Sequence, residues 1–119
     1  MNLHYKKEFA DLLRNGTKKH TIRKKAVKRG TDLKHIIYPY QPDRRECVLE
    51  NACVSCQQIK IIPCEYMNES KVWVNGILLS TDEVQQLAWN DGFHCLAAFW
   101  LYFNEKFEGY IIHWTNLQY

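Results

Sequence analysis

The sequence predicts an α+β fold in which short antiparallel strands form a small barrel-like sheet with flanking helices. Five or six short runs favour strands and are separated by turn-forming glycine, proline and asparagine residues. Helical patterns are mixed among these runs without a strand–helix–strand rhythm and without long crossovers, so a parallel sheet is not expected. The 119 residues suffice for one hydrophobic core, which predicts a single domain over 1–119.

The first half of the chain predicts one helix and two extended segments. Apolar residues recur at helical spacing near the start of the chain, and Asn15-Gly16 supplies a left-handed stop. Pro39 and Pro42 halt the second extended segment. The predicted elements are a helix over 5–15, an extended segment over 19–24, a turn over 28–32 and a strand over 35–38.

The second half predicts further strands and two helices. Asn75-Gly76 between two apolar runs is the strongest short-range hairpin signal. Ser80 and Glu83 form a capping-box pattern, which predicts a helix that begins at Thr81. The predicted elements are strands within 46–62, a loop over 63–71, a hairpin over 72–79, a helix from 81 that breaks at 91–93, a helix over 94–104 and a strand over 110–114.

Charge is unevenly distributed along the chain. The net charge is only +3, but residues 1–45 contain 13 of the 16 basic residues and 4 of the 13 acidic ones. Such a basic half favours a face that binds a polyanion or phosphate. A solvated surface of scattered lysines is the alternative, because clustering in sequence need not produce clustering in space.

The composition favours a cytoplasmic protein that does not insert into a membrane. No apolar run approaches the roughly 20 residues that span a bilayer, and the first residues lack the apolar run of a secretory signal. The five cysteines are irregularly spaced, unlike a secreted disulfide framework. Cys53 and Cys56 would face opposite sides of a strand, so no metal site is predicted, and no cofactor motif is found.

The segment Gly16-x-Lys18-x-x-Thr21-x-Arg23 is the first candidate site. On a strand, Thr21 and Arg23 project from the same face, and Lys18 lies at the turn before them. A cation, a hydroxyl and a guanidinium can then converge on one anionic or carbonyl-bearing ligand. An exposed strand start whose polar residues face water is the alternative. His20 alternates to the opposite face and is expected to be structural.

Further candidate residues have chemistry that fits the same ligand. Asp91 lies at a helix–glycine junction and is a cap residue unless it faces Lys18 and Thr21, where it becomes a candidate acid or base. Tyr38 and Tyr40 either stack on an unpaired base or pack within the barrel. The other candidate ligand-binding residues are cations close to them in sequence: Lys24, Lys25 and Arg44.

Three spaced motifs occur in order along the chain. They are Gly16-x-Lys18-x-x-Thr21-x-Arg23, Ala88-x-x-Asp91-Gly92-Phe93 and Phe107-x-Gly109-x-x-Ile112-x-Trp114. This order resembles the ASCH (activating signal cointegrator homology) domain of the PUA-like superfamily, over roughly residues 3–114. The resemblance implies a small PUA-like β-barrel with flanking helices and a cleft associated with RNA or nucleotides.

The resemblance also implies a choice of activities. Single-stranded RNA, or a nucleoside or nucleotide, is the implied partner of the basic cleft. The family more often has glutamate where this chain has Thr21, and threonine there is similar to the branch that deacetylates N4-acetylcytidine. In that branch Lys18, Thr21 and Asp91 would form the catalytic set, with Asp91 in place of a glutamate. Ribonuclease activity and a protein-interaction module are the further alternatives.

Overall fold

Eight strands and three α-helices form an α+β fold, as the sequence predicts, and the computed structural model describes all 119 residues. The strands are β1 (Asn2–Tyr5), β2 (His20–Arg23), β3 (Asp32–Ile37), β4 (Glu46–Ala52), β5 (Ser55–Ile62), β6 (Lys71–Val74), β7 (Ile77–Leu78) and β8 (Phe107–His113). The helices are α1 (Ala10–Arg14), α2 (Thr81–Asn90) and α3 (Leu96–Tyr102), with short 3-10 turns at Lys7–Phe9 and Met67–Glu69. None of the helices combines the length and apolar character that crossing a membrane requires.

The strands form two open sheets rather than the predicted barrel. The first sheet has the order β1-β3-β4, and the second has the order β2-β8-β5-β6-β7. All strand pairs are antiparallel except β1 with β3. The prediction of a closed barrel is wrong because β4 and β5, which follow each other directly, pair with β3 and β8 in different sheets. The edge strands of the two sheets do not pair with each other.

Two hydrophobic cores lie on opposite faces of the five-stranded sheet. The first core lies between this sheet and helices α2 and α3 and contains 12 buried residues. The second core lies between the two sheets and α1 and contains 9 buried residues. Ile111 belongs to the first core and its neighbour Ile112 to the second. The reason is that successive side chains on a strand point to opposite faces.

The strongest local signals in the sequence are confirmed. Gly16 follows α1 with a φ of +81°, the left-handed stop that was expected there. Asn75 and Gly76 both have positive φ and join β6 to β7 as a two-residue hairpin. Ser80 and Glu83 form the reciprocal hydrogen bonds of a capping box at the start of α2. The capping box sets the residue at which α2 begins, and the C-terminal end of this helix contacts the turn before β2.

Candidate functional site

A cavity of about 420 Å³ opens beside the edge strand β2. Its polar wall includes the three motif side chains and one carboxylate: Lys18, Thr21, Arg23 and Asp91. Its apolar wall is largely aromatic: Tyr5, Phe9, Tyr40, Phe93, Tyr102 and Phe103. The structure therefore brings the predicted catalytic set and Arg23 to one cavity, although Asp91 is separated from Lys18 by 73 positions in sequence.

Lys18 is held in the wall of this cavity by Asp91. Only 3% of Lys18 is exposed. Its Nζ donates to the carboxylate Oδ1 of Asp91 at 3.2 Å and to the main-chain oxygen of the same residue at 2.5 Å. Burial lowers the pKa of Lys18, and the negative charge of Asp91 opposes that shift. The Phe9 ring, whose centroid is 4.8 Å from Nζ, adds a cation–π contact.

Asp91 acts both as the C-cap of α2 and as a site residue. Its main-chain oxygen lies at the C-terminal end of the helix, where the helix dipole favours a cation such as Lys18. Gly92 follows with a φ of +100°, and a Cβ there would lie 3.1 Å from the Phe9 ring, so the turn requires glycine. Lys18 and His20 both contact Oδ1, which leaves Oδ2 of the carboxylate for a ligand.

Thr21 and Arg23 project from the same face of β2, as predicted from strand alternation. Arg23 Nε donates to Thr21 Oγ1 at 3.1 Å, and its Nη2 donates to the main-chain oxygen of His4 at 2.9 Å. The guanidinium carbon lies 4.8 Å from the centroid of the Tyr5 ring. These contacts hold the guanidinium in place and leave Nη1 to donate to a ligand.

A buried hydrogen-bond chain behind Asp91 was missed by the sequence analysis. His20 Nδ1 lies 3.1 Å from Asp91 Oδ1, so the neutral ring donates from Nδ1 and accepts at Nε2. The Tyr119 hydroxyl donates to Nε2 at 2.6 Å and accepts from Asn90 Nδ2 at 2.9 Å. Burial lowers the pKa of His20 and raises that of Tyr119. Alternation correctly places His20 opposite Thr21, but its reach to Asp91 depends on tertiary packing.

The aromatic wall was also missed, although one part of it left a signal. Leu3 and Tyr5 are the two buried residues of β1, and this alternation predicts a strand whose inner face includes Tyr5. The Phe9 ring also contacts Lys18 Nζ, a placement that spacing along the chain does not reveal.

The structure does not bring every predicted ligand-binding residue to the cavity. Tyr40 lines it and is 86% exposed at its rim. Tyr38 lies outside it, where the guanidinium carbon of Arg44 is 5.0 Å from the Tyr38 ring centroid. Lys24 lies over the Phe107 ring at 4.9 Å, and Lys25 is an exposed residue after β2. None of the last four residues lines the cavity, and the charges of Lys24, Lys25 and Arg44 act on it only from outside.

Most cations of residues 1–45 have no carboxylate partner. Among them only Arg14 and Lys18 form ion pairs with carboxylates. No group of three or more histidine, cysteine, aspartate or glutamate side chains is placed to hold a metal ion. The unpaired cations keep the positive field that the sequence predicts on this half of the chain.

Comparisons of the chain with models of protein families, with curated proteins and with solved structures find no significant match. Two features of the chain point to its function. One is the geometry of the cavity that Lys18 and Asp91 share, and the other is the order of the sequence motifs that contribute to it.

Proposed function

We propose that the chain is an ASCH-like domain of the PUA-like superfamily whose cavity binds one unpaired nucleotide of RNA or a free nucleotide. One observation carries the proposal: Lys18, Thr21, Arg23 and Asp91 line a single cavity, and a shared cleft for these residues is what the resemblance to that family implies. The two sheets of this chain do not close into the barrel that is typical of that superfamily, and we interpret this as variation within it.

The chemistry of the cavity wall complements a nucleobase. Aromatic rings on the wall offer faces for stacking, which every base can use. Oδ2 of Asp91 accepts from an exocyclic amino group, while Nη1 of Arg23 donates to a base carbonyl or a phosphate oxygen. A volume of about 420 Å³ lies within the usual range for small-molecule sites. The wall thus presents both an acceptor and a donor, which suits cytosine, whose edge carries an amino group and acceptors.

Binding is expected to require Arg23 and to weaken with salt. The Arg23→Gln variant removes the charged donor, and we expect its dissociation constant for cytidine monophosphate to rise about tenfold. Isothermal titration calorimetry at two salt concentrations measures this directly. The matched control is Arg45→Gln, because Arg45 is exposed and outside the cavity. An Arg23→Gln variant that binds as tightly as the control would exclude the cavity as the nucleotide site.

Amide hydrolysis is a second candidate, favoured by the buried Lys18 beside Thr21. A lysine whose pKa is lowered by burial can accept the hydroxyl proton while Thr21 Oγ1 attacks an acyl carbonyl carbon. The proton that Lys18 has taken passes through Asp91 to the leaving amine as the carbon–nitrogen bond breaks, and water then hydrolyses the acyl ester on Thr21. In the structure Lys18 donates to Asp91 and Thr21 accepts from Arg23, so Lys18 is not hydrogen-bonded to the hydroxyl that it would have to deprotonate. For this reason we rank nucleotide binding above hydrolysis.

Turnover of N4-acetylcytidine tests this second candidate. If it is correct, the protein releases acetate, Thr21→Val abolishes the release, and Thr21→Ser retains part of it because the hydroxyl remains. Acetate is quantified by an enzyme-coupled assay, and circular dichroism confirms that each variant is folded. Wild-type protein that releases no acetate excludes the amidohydrolase and leaves the binding proposal standing.

A further inference from the structure

A second concave surface lies on the five-stranded sheet, outside the cavity. We call it the sheet groove, and it encloses about 650 Å³. Lys60 of β5 pairs with Trp73 of β6 and with Glu108 of β8, and Gln58 pairs with Tyr110. Residues directly opposite each other on neighbouring strands share a face, so these five side chains lie on one side of the sheet.

The aromatic residues of the sheet groove have no evident structural task. Apolar residues next to them along the strands belong to the first core: Val72, Val74 and Ile111 are nearly inaccessible to solvent. Trp73 and Tyr110 project from the opposite face and remain only half-buried. A tryptophan and a tyrosine that are partly exposed on one face of a sheet, with side chains of β5 between them, form a platform on which unpaired bases can stack.

The sheet groove adjoins the cavity of Lys18 and Asp91 through one residue pair. Tyr110 of β8 pairs directly with Arg23 of β2, so their side chains are neighbours on the same face. From β2 the order of strands is β8, β5 and β6, which places Trp73 three strand spacings across the sheet, roughly 14 Å, and two residues along it from Arg23. A short single strand that enters the cavity at one end can therefore lie across the groove.

The charge of the sheet groove suits a phosphate backbone. Lys24 and Lys60 line it, and neither forms an ion pair with a carboxylate. The one acidic residue of the groove, Glu108, is within 3.8 Å of Lys106 Nζ, which offsets its charge. Lys60 Nζ lies 5.5 Å from the centroid of the Trp73 ring, so a cation and a stacking surface lie side by side.

We propose that the sheet groove binds single-stranded RNA that continues from the nucleotide in the cavity. In this arrangement bases stack on Tyr110 and Trp73, and phosphates contact Lys24 and Lys60. Single-strand sites of this kind span about four or more nucleotides. The proposal extends the proposed function, on which it rests for the nucleotide held beside Arg23.

The test compares a 12-nucleotide oligouridylate and cytidine monophosphate as ligands of the full chain. We expect the Lys24→Ala/Lys60→Ala double variant to bind the oligonucleotide about tenfold more weakly. The slope of log K against log salt should fall by about 1.4, from two phosphate contacts on a single strand. The affinity for cytidine monophosphate should be unchanged. The matched control is Lys7→Ala/Lys34→Ala, which removes two exposed cations that line neither the cavity nor the groove.

Two substitutions of Trp73 test whether bases stack on the sheet groove. Trp73→Ala should weaken oligonucleotide binding about tenfold, whereas Trp73→Phe keeps an aromatic face and should lose much less. A 12-base-pair RNA duplex, whose bases are already stacked on each other, should bind more weakly than the single strand. A duplex that binds as tightly as the single strand contradicts the platform, as does equal loss in Trp73→Ala and Trp73→Phe.

The outcomes separate this proposal from the proposed function. If the Lys24→Ala/Lys60→Ala variant binds the oligonucleotide like wild type, the sheet groove is refuted, while binding of cytidine monophosphate through Arg23 still supports the cavity. Oligonucleotide binding that depends on Lys60 and Trp73, without any binding of cytidine monophosphate, supports the groove and refutes the cavity. Wild-type protein that binds neither ligand overturns both.

Discussion

Replacing Asp91 by alanine is expected to lower the free energy of unfolding by about 3–5 kcal/mol. The substitution removes the only carboxylate within reach of the buried Lys18 ammonium and leaves a charge in the protein interior. It also removes the hydrogen bond between the carboxylate and His20. Urea denaturation at pH 7, followed by circular dichroism, measures the change. Since small domains are stable by only about 5–15 kcal/mol, this single change approaches global unfolding.

Two comparisons separate the ion pair from the loss of a carboxylate in general. Asp43→Ala removes an exposed aspartate that forms no ion pair, and its effect should stay within about 0.5 kcal/mol. The double variant Lys18→Met/Asp91→Leu replaces both charges by apolar groups and should recover much of the loss, because no unpaired charge remains. A loss below about 1 kcal/mol in Asp91→Ala would show that water reaches Lys18 and that the pair is not buried in solution.

Acid is expected to destabilise the fold between about pH 6.5 and pH 4, in part through His113. Burial lowers the pKa of His113 to about 4. Its Nε2 is 2.9 Å from Gln57 Oε1, and its buried Nδ1 has no hydrogen-bond partner, so a proton there would have no acceptor. The unfolded chain takes up that proton near pH 6.5, before the folded chain does. Stability is therefore complete above about pH 6.5 and declines as the pH falls toward 4, by about 3 kcal/mol from this residue.

Urea denaturation at pH 7.5 and pH 4.5 measures this slope. His113→Leu should make the stability less dependent on pH in that interval, even though the variant is less stable at pH 7.5 for want of the contact with Gln57. His94→Leu is the control, because His94 is exposed and its substitution should leave the slope unchanged. His20 acts in the same direction, because burial lowers its pKa, and the hydrogen bond to Asp91 opposes that shift. An unchanged slope in His113→Leu would contradict the assignment.

The sequence predicts those parts of the fold that depend on neighbouring residues. Gly16, Asn75-Gly76 and the capping box of Ser80 and Glu83 act through backbone conformation and hydrogen bonds over a few positions, and each is found where expected. Barrel closure could not be predicted in this way, because it depends on whether edge strands that are far apart in sequence pair with each other. The alternation of Leu3 and Tyr5 indicates the strand β1, but its parallel pairing with β3 depends on residues far away in sequence.

The same distinction applies to the site. Thr21 and Arg23 share a face because they are two residues apart on a strand, which periodicity predicts. Asp91 was a candidate only on condition that it faced Lys18, and the contact arises because the C-terminal end of α2 docks against the turn before β2. Tyr119 reaches the site from 28 residues beyond Asp91 through a buried hydrogen bond to Asn90, for which the sequence has no local signal.

The alternation of Ile111 and Ile112 has a mechanical consequence for β8. One side chain fills the core beneath α2 and α3, and the next fills the core between the sheets. Strand β8 is therefore packed on both faces. If a substitution leaves a cavity in one core, the β8 backbone can move to fill it only by pulling the adjacent side chain out of the other core. Neither core can relax alone, so the backbone of β8 is held in place more tightly than either core would hold it by itself.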